Sequence, residues 1–198
     1  MSKDLRFQRT EQKLKNAFLE IIIKQDFEDI TVLNLCKEAK INRITFYQHY
    51  KDKYELLNDI FKDMQDEAIS SLPIREQENN LTHDPYRTVS NYLYYFVEAL
   101  SKRINLVFSI SKHYAGYIYF AFANFFEARF KEMVQTSGVD RTLKYDMNQT
   151  IAFVSGGVMN FIVSGVKQGK YNNDFETLFY DAKNLFLDIL KGDIIYKK

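Results

Sequence analysis

TVLNLCKEAKINRITFYQHY, residues 31–50, carries two short helices and the turn between them. Thr31 is an N-cap candidate, with Ile30 before it and Leu35 at the fourth helical place, the two positions that close as a hydrophobic staple. Eleven residues later the arrangement repeats: Asn42 is the cap, with Ile41 and Phe46 as the staple. Val32, Leu35, Cys36 and Ala39 form one apolar face on the first helix, and Ile41 sits in the turn. Phe46 and Tyr50 lie one turn apart and point the second helix inward on that side. Arg43, Ile44, Thr45, Tyr47 and Gln48 are then left to project from near its N-terminal end, where a helix-turn-helix carries the side chains that enter a DNA groove.

Upstream, Thr10 is a cap candidate for a helix whose positions Leu14, Ala17, Phe18, Ile21 and Ile22 keep three-four spacing. Downstream, Asp52 with Glu55 three residues on opens a fourth helix, continued by Leu56, Leu57, Ile60, Phe61 and Met64 to Pro73. Residues 74–84, IREQENNLTHD, are polar and aperiodic and predict a loop closed by Asp84 and Pro85 as the start of another helix. Further helices are expected over 85–101, 104–111, 114–135, 141–168 and 174–191, with Gly138, Gly169 and Gly192 at or past their ends. Asn173 with Glu176 offers a capping pair for the last one. With 7 glycines and 2 prolines in 198 residues, little is left for β-turns. The expectation is an all-α chain of about nine helices. Residues 8–68 would be a DNA-binding domain built on the three-helix helix-turn-helix unit, and 74–198 a helical domain for ligand binding and dimerisation.

A net charge of +1 excludes a protein that coats nucleic acid through bulk charge, so any DNA contact needs a local patch. Lys37, Lys40, Arg43, Lys51 and Lys53 outnumber Glu38 and Asp52 around the paired helices. Lys3, Arg6, Arg9, Lys13 and Lys15 outnumber Asp4 and Glu11 at the start of the chain. Such groups at both edges can hold phosphates. The single cysteine, Cys36, excludes an internal disulfide and is expected to be packing, in keeping with a cytoplasmic protein. His49, His83 and His113 are too scattered for a short metal motif, so no metal or cofactor is expected. No phosphate-cradling glycine loop and no nucleophile with its base are recognisable, which argues against an enzyme. The charged N-terminus lacks the apolar run of a signal peptide. Met147 to Val166 has no charged side chain, yet Asn148, Gln149, Thr150, Ser155, Asn160 and Ser164 interrupt it at several helical angles, so no membrane span is expected.

From Arg9-Thr10 through FEDITVLNLCKEAKINRITFYQHYKDKYELL, roughly the first third of the chain resembles the TetR/AcrR family of transcriptional regulators. FVSGGVMNFIVSGVKQG, 153–169, resembles the penultimate helix of that family. The resemblance implies that Arg43, Ile44, Thr45 and Gln48 face bases, and that Thr31, Tyr47, His49 and Lys53 hold phosphates. Three positions depart from the family pattern: Cys36 stands where alanine is usual, Lys40 where a turn glycine is usual, and Ile44 where a small residue is common. Lys40 is thereby expected in the left-handed conformation that glycine takes freely.

The resemblance also implies a homodimer on a pseudo-palindromic operator in double-stranded DNA, acting as a repressor that a small-molecule effector releases. The rival is a dimeric protein of the same fold that binds no operator or no effector. Tyr92, Tyr95, Phe96, Tyr117 and Phe120 belong to an aromatic run that either fills a core or lines a cavity for an apolar or amphipathic effector. Ser155-Gly156-Gly157 places two glycines inside a helix at about 1 kcal/mol each relative to alanine, which close helix approach would offset. Gly156, Gly157 and Phe161, with Phe179 and Phe186 of the apolar last helix, are the dimer-interface candidates.

Overall fold

The fold is taken from a computed structural model. It describes residues 2–82, 84, 87–88, 90–91, 94–95, 98, 102, 106, 120, 123–124, 127–128, 131–132, 134–136, 144–169 and 174–191. Among these the secondary structure is helical throughout: α1 (Ser2–Ile21), a short 3-10 turn (Phe27–Asp29), α2 (Val32–Ala39), α3 (Arg43–His49), α4 (Lys53–Asn79), α5 (Met147–Lys167) and α6 (Phe175–Lys191). The expected helices within 85–135, and Gly138 and Gly192, lie wholly or mostly outside the described residues.

The N-terminal helices close on one apolar core. Leu14, Phe18, Leu35, Phe46, Leu56 and Leu57 are completely buried, and Ile22 and Ile30 nearly so. Burying each such side chain stabilises by about 1.5–3 kcal/mol, so a few of them fix where α3 lies. α1 packs on α2 and α4, and α2 on α3. Thr31 caps α2 as its sequence predicts: Asn34 N donates to Thr31 Oγ1 at 3.2 Å, and Thr31 N donates back to Asn34 Oδ1 at 3.3 Å. Asn42 caps α3 by accepting from Thr45 N at 2.7 Å. Asp52 accepts from both Tyr54 N and Glu55 N at 2.9 Å, while Glu55 reaches back to Lys51 N at 2.5 Å.

Three expected boundaries are corrected. Thr10 does not cap α1, which already runs from Ser2; its hydroxyl donates to the Arg6 carbonyl at 3.0 Å, the back-bonded state of a threonine inside a helix. The predicted loop over 74–84 is helical as far as Asn79, and α4 passes through Pro73. Proline removes one helical hydrogen bond there, and contacts distant in sequence hold the extra turns. The Arg75 guanidinium lies 3.6 Å from the centre of the Tyr94 ring, and the side-chain amides of Asn79 and Asn91 bond each other at 2.9 and 3.3 Å. Buried Asn80 donates to the Asp84 carbonyl and to Thr88 Oγ1, both at 3.0 Å. Finally, the helix expected from about 141 begins at Met147, because Asp146 Oδ1 caps it by accepting from Gln149 N at 3.0 Å.

α5 packs on α6, with Val154, Val158 and Ile162 buried on one helix and Leu178, Ala182 and Phe186 on the other. Asp174 caps α6 by accepting from Thr177 N at 3.0 Å, and Asn173 of the expected capping pair lies outside the described residues. Gly169 follows α5 at φ 64°, the left-handed turn expected of a glycine at a helix end. No described helix is long and apolar enough to cross a membrane.

Candidate nucleic-acid interface

Two aromatic anchors position α3. Phe46 is fully buried and Tyr50, 6.1 Å away between ring centres, is 4% exposed. The Tyr50 hydroxyl donates to Asp59 Oδ2 on α4 at 2.7 Å. Lys15 of α1 joins the same carboxylate at 2.8 Å and Asp63 at 2.7 Å. One cluster of polar groups thus ties the end of the second helix of the motif to both α1 and α4. Burial alone would push the Asp59 carboxyl upward, but hydrogen bonds from Lys15 and Tyr50 outweigh it and hold it below its ordinary range. Burial would likewise lower Lys15, and its bonds to Asp59 and Asp63 raise it instead. The Tyr50 phenol is pushed well up, by burial first and by Asp59 second, and stays a donor. Lys15 therefore does not belong to a phosphate-holding edge, as its place in the basic N-terminal stretch suggests; its charge is spent inside the domain.

With Phe46 and Tyr50 inward, Arg43 and Gln48 are exposed, Ile44 is 72% and Tyr47 52% exposed, and Thr45 is half-buried at the cap. Arg43 Nη2 donates to the Tyr47 hydroxyl at 3.4 Å, one turn along the same face. At 72% exposed, Ile44 packs little against the described residues. Thr31 stands exposed at the start of α2.

Two of the residues with an implied phosphate role sit otherwise. The His49 side chain is only 4% exposed; its ring lies 3.8 Å from that of Phe7, and Nδ1 is 3.8 Å from Glu11. The imidazole is packed against α1. Lys53 donates to the carbonyls of Phe27 and Glu28 at 2.7 and 2.9 Å and lies 4.5 Å from the centre of the Phe27 ring. Burial lowers its pKa against the opposing pull of Glu28 and Asp29. An ammonium has three N–H groups, so a phosphate would have to take the third.

Lys40 adopts φ 55°, ψ 45°, the left-handed geometry anticipated for it, with its N–H bonded to the end of α2. In this turn it faces the N-terminal helix across a cleft of about 820 Å³. Arg6, Arg9, Lys13 and Lys40 line the cleft, Thr45 and Gln48 open into it, and no carboxylate is among the described lining residues. The basic stretches at the two edges of the motif therefore meet beside α3. Their charges were legible in sequence; their convergence was not. The Tyr50–Asp59–Lys15–Asp63 cluster was missed altogether, although two aspartates one turn apart beside buried Ile60 were its visible signal. Cys36 is buried as expected, and burial raises its thiol pKa against the opposing pull of Arg43.

In the C-terminal part, Tyr95 is half-buried beside Tyr94, while Phe120 is 59% exposed rather than enclosed. Tyr92, Phe96 and Tyr117 lie outside the described residues, as does the side chain of Phe179. A groove of about 540 Å³ runs between α5 and α6, lined by Phe153, Gly157, Phe161, Phe186 and Ile189 among others. An added Cβ at Gly156 or Gly157 would meet nothing within 4 Å, so no close approach among the described residues explains either glycine. Among the described residues no group of three metal-binding side chains occurs.

Comparison with known proteins agrees with this geometry. The family model for bacterial regulatory proteins of the tetR family matches residues 16–60. YxbF of Bacillus subtilis, an uncharacterised HTH-type transcriptional regulator, is 36% identical over 80 residues, 40% of this chain. The match spans 21% of that relative, about a fifth of its length. Among solved structures, a protein from Syntrophomonas wolfei assigned to the TetR family of transcriptional regulators superposes with a TM-score of 0.73 at 14% identity, over 94% of this chain and 97% of that one. The dihydroxyacetone kinase operon activator DhaS superposes at 0.62 with 19% identity, over 95% and 98%. These identities speak for the fold alone. Residues 16–60 are thus similar to bacterial regulatory proteins of the tetR family, and the chain shares the fold of solved structures assigned to that family.

Proposed function

We propose that the chain is a homodimeric repressor that binds a pseudo-palindromic operator through α3 and is released by a small-molecule effector. The observation that carries this is the exposed face of Arg43, Ile44, Tyr47 and Gln48 standing beside a cleft of four cations without a carboxylate among its described lining residues. Major-groove reading needs a protruding helix with base-directed side chains near its N-terminus and phosphate holders on both flanks. Arg43 is suited to a bidentate guanine contact and Ile44 to a thymine methyl, while Thr45 and Gln48 reach neighbouring base edges. Thr31, Tyr47 and the cleft lysines and arginines take phosphates, with Lys53 limited to one remaining N–H.

Dimerisation is assigned to α5 and α6. Leu185 is 47% and Phe153 74% exposed there, and Gly157 leaves open space that a second subunit's helix can enter. The division into a DNA-binding domain over 8–68 and a regulatory domain over 74–198 falls inside α4. At about 1.5 Å per residue the 27 residues of that helix are a rigid rod about 40 Å long that transmits effector binding to α3. Selection of bound fragments from a genomic library, followed by transcription with the recovered site, tests the reading. Repression on a recovered palindrome supports it. Failure to enrich any sequence leaves the dimeric non-operator protein in its place.

A further inference from the structure

Tyr50 and Lys15 are buried and Asp59 is half-buried, behind the exposed face of α3. We propose that these three are positioning residues for base reading: they set the direction of α3, and with it the discrimination made by Gln48, without touching DNA. The inference rests on the DNA reading proposed above.

The two ends of α3 are held differently. At its start, Ile41 N donates to the Cys36 carbonyl at 3.0 Å and Lys40 N to the Lys37 carbonyl at 3.2 Å, so the turn is bonded back onto α2 through the main chain. Asn42 then caps Thr45 N at 2.7 Å. At the far end, Tyr50 N closes the helix on the Phe46 carbonyl at 2.9 Å, and the chain enters α4 after two more residues, Lys51 and Asp52. Such a short link ties the helix ends together but does not by itself set the angle between them. The Tyr50 hydroxyl sets it, reaching Asp59 Oδ2 in the second turn of α4 at 2.7 Å. Lys15 of α1 fixes that carboxylate at 2.8 Å, and Asp63, one turn further along α4, holds Lys15 at 2.7 Å. Hydrogen bonds to ionised groups are the stronger kind, and these link α3 to both flanking helices. None of the four residues is among the described lining residues of the basic cleft beside α3.

With its start pinned and its far end released, α3 would turn about Asn42. Arg43 stands next to that pivot, whereas Gln48 lies about 9 Å along the helix at about 1.5 Å per residue. A tilt of about 10° moves Gln48 by about 1.5 Å and Arg43 by about 0.3 Å, against the roughly 0.5 Å within which a working site must be held. Contacts to phosphate carry no sequence information, so general affinity for DNA does not depend on this alignment. The loss falls on the base that Gln48 reads.

Fluorescence anisotropy of the full chain tests this, on a duplex recovered by genomic selection, on a panel with each base pair substituted and on a scrambled duplex. Gln48→Ala and Arg43→Ala mark the bases that each side chain reads. Tyr50→Phe and Asp59→Ala should lose the preference at bases marked by Gln48→Ala, at least about fivefold for a good bidentate pair. They should keep it at bases marked by Arg43→Ala and bind the scrambled duplex as the wild type does. Ile22→Val, a core change outside the cluster, controls for lost stability and should leave the panel unchanged. Circular dichroism verifies that every variant folds. Loss spread evenly over the panel, an unchanged panel in both folded variants, or no base marked by Gln48→Ala would overturn the inference while leaving the DNA reading in place. A wild-type chain that binds the recovered and scrambled duplexes alike overturns the DNA reading, and the inference falls with it.

Discussion

The bond between Tyr50 and Asp59 should be measurable as a coupling between two helices that the DNA-reading unit depends on. Tyr50→Phe removes one hydroxyl and leaves the ring packed on Phe46; Asp59→Asn keeps the shape and removes the charge. Hydrogen bonds to charged groups contribute about 1.5–3 kcal/mol, but the Asp59 side chain is 30% exposed and keeps its contact with Lys15 at 2.8 Å, so water and lysine recover part of the loss. A coupling of about 1–1.5 kcal/mol is therefore expected from a double-mutant cycle in urea. Tyr50→Phe alone should lower Tm by a few degrees, since about 1 kcal/mol shifts a chain of this size by roughly 2–4 °C. The pH dependence follows from the directions of both shifts. Asp59 is lowered in the fold, so its contribution is present above its ordinary value of 3.8 and is lost as pH falls through the lower folded value. Tyr50 is raised, so its contribution is present below its ordinary value of 10.0 and fades only at more alkaline pH. The coupling should thus be flat between those limits. Additivity within about 0.3 kcal/mol at neutral pH, or a coupling that titrates near neutrality, would refute the role given to this bond.

Lys40→Gly should stabilise the domain by up to about 1 kcal/mol, because a non-glycine residue at φ 55° carries a left-handed cost, and yet weaken DNA binding by removing a cleft cation; thermal melts and fluorescence anisotropy read the two effects separately. Arg43→Ala should cost about 1–3 kcal/mol on one site and relax preference at a single base. Arg9→Ala should weaken all sequences alike and flatten the salt dependence; equal profiles for these two variants across a base-substitution panel would abolish the division between reader and anchor. Lys53→Ala should lower stability by about 1 kcal/mol through two lost bonds to backbone carbonyls, a cost that denaturation in the absence of DNA detects. Gly157→Leu should keep helicity, as the site is open among the described residues, and lose the dimer in sedimentation; a folded variant that stays dimeric would remove α5 from the interface.

What the sequence determined by itself is local. Caps at Thr31 and Asn42, the staples behind them and the spacing of Phe46 and Tyr50 depend on residues within one or two turns, so α2, the turn and α3 were legible, as was the left-handed Lys40. The same locality exposed Arg43, Ile44, Tyr47 and Gln48 as an outward face. Tertiary structure decided what depends on groups brought together from afar. It packed His49 against Phe7, where the resemblance implied a phosphate holder, and gave Lys15 to Asp59 and Asp63, 44 and 48 residues away, where the basic pattern placed it on a phosphate-holding edge. It carried α4 through Pro73, because Arg75, Asn79 and Asn80 find partners beyond the helix that periodicity cannot register. A cap is fixed by neighbours along the chain, whereas the fate of a charge is fixed by whichever opposite charge or carbonyl the fold delivers to it.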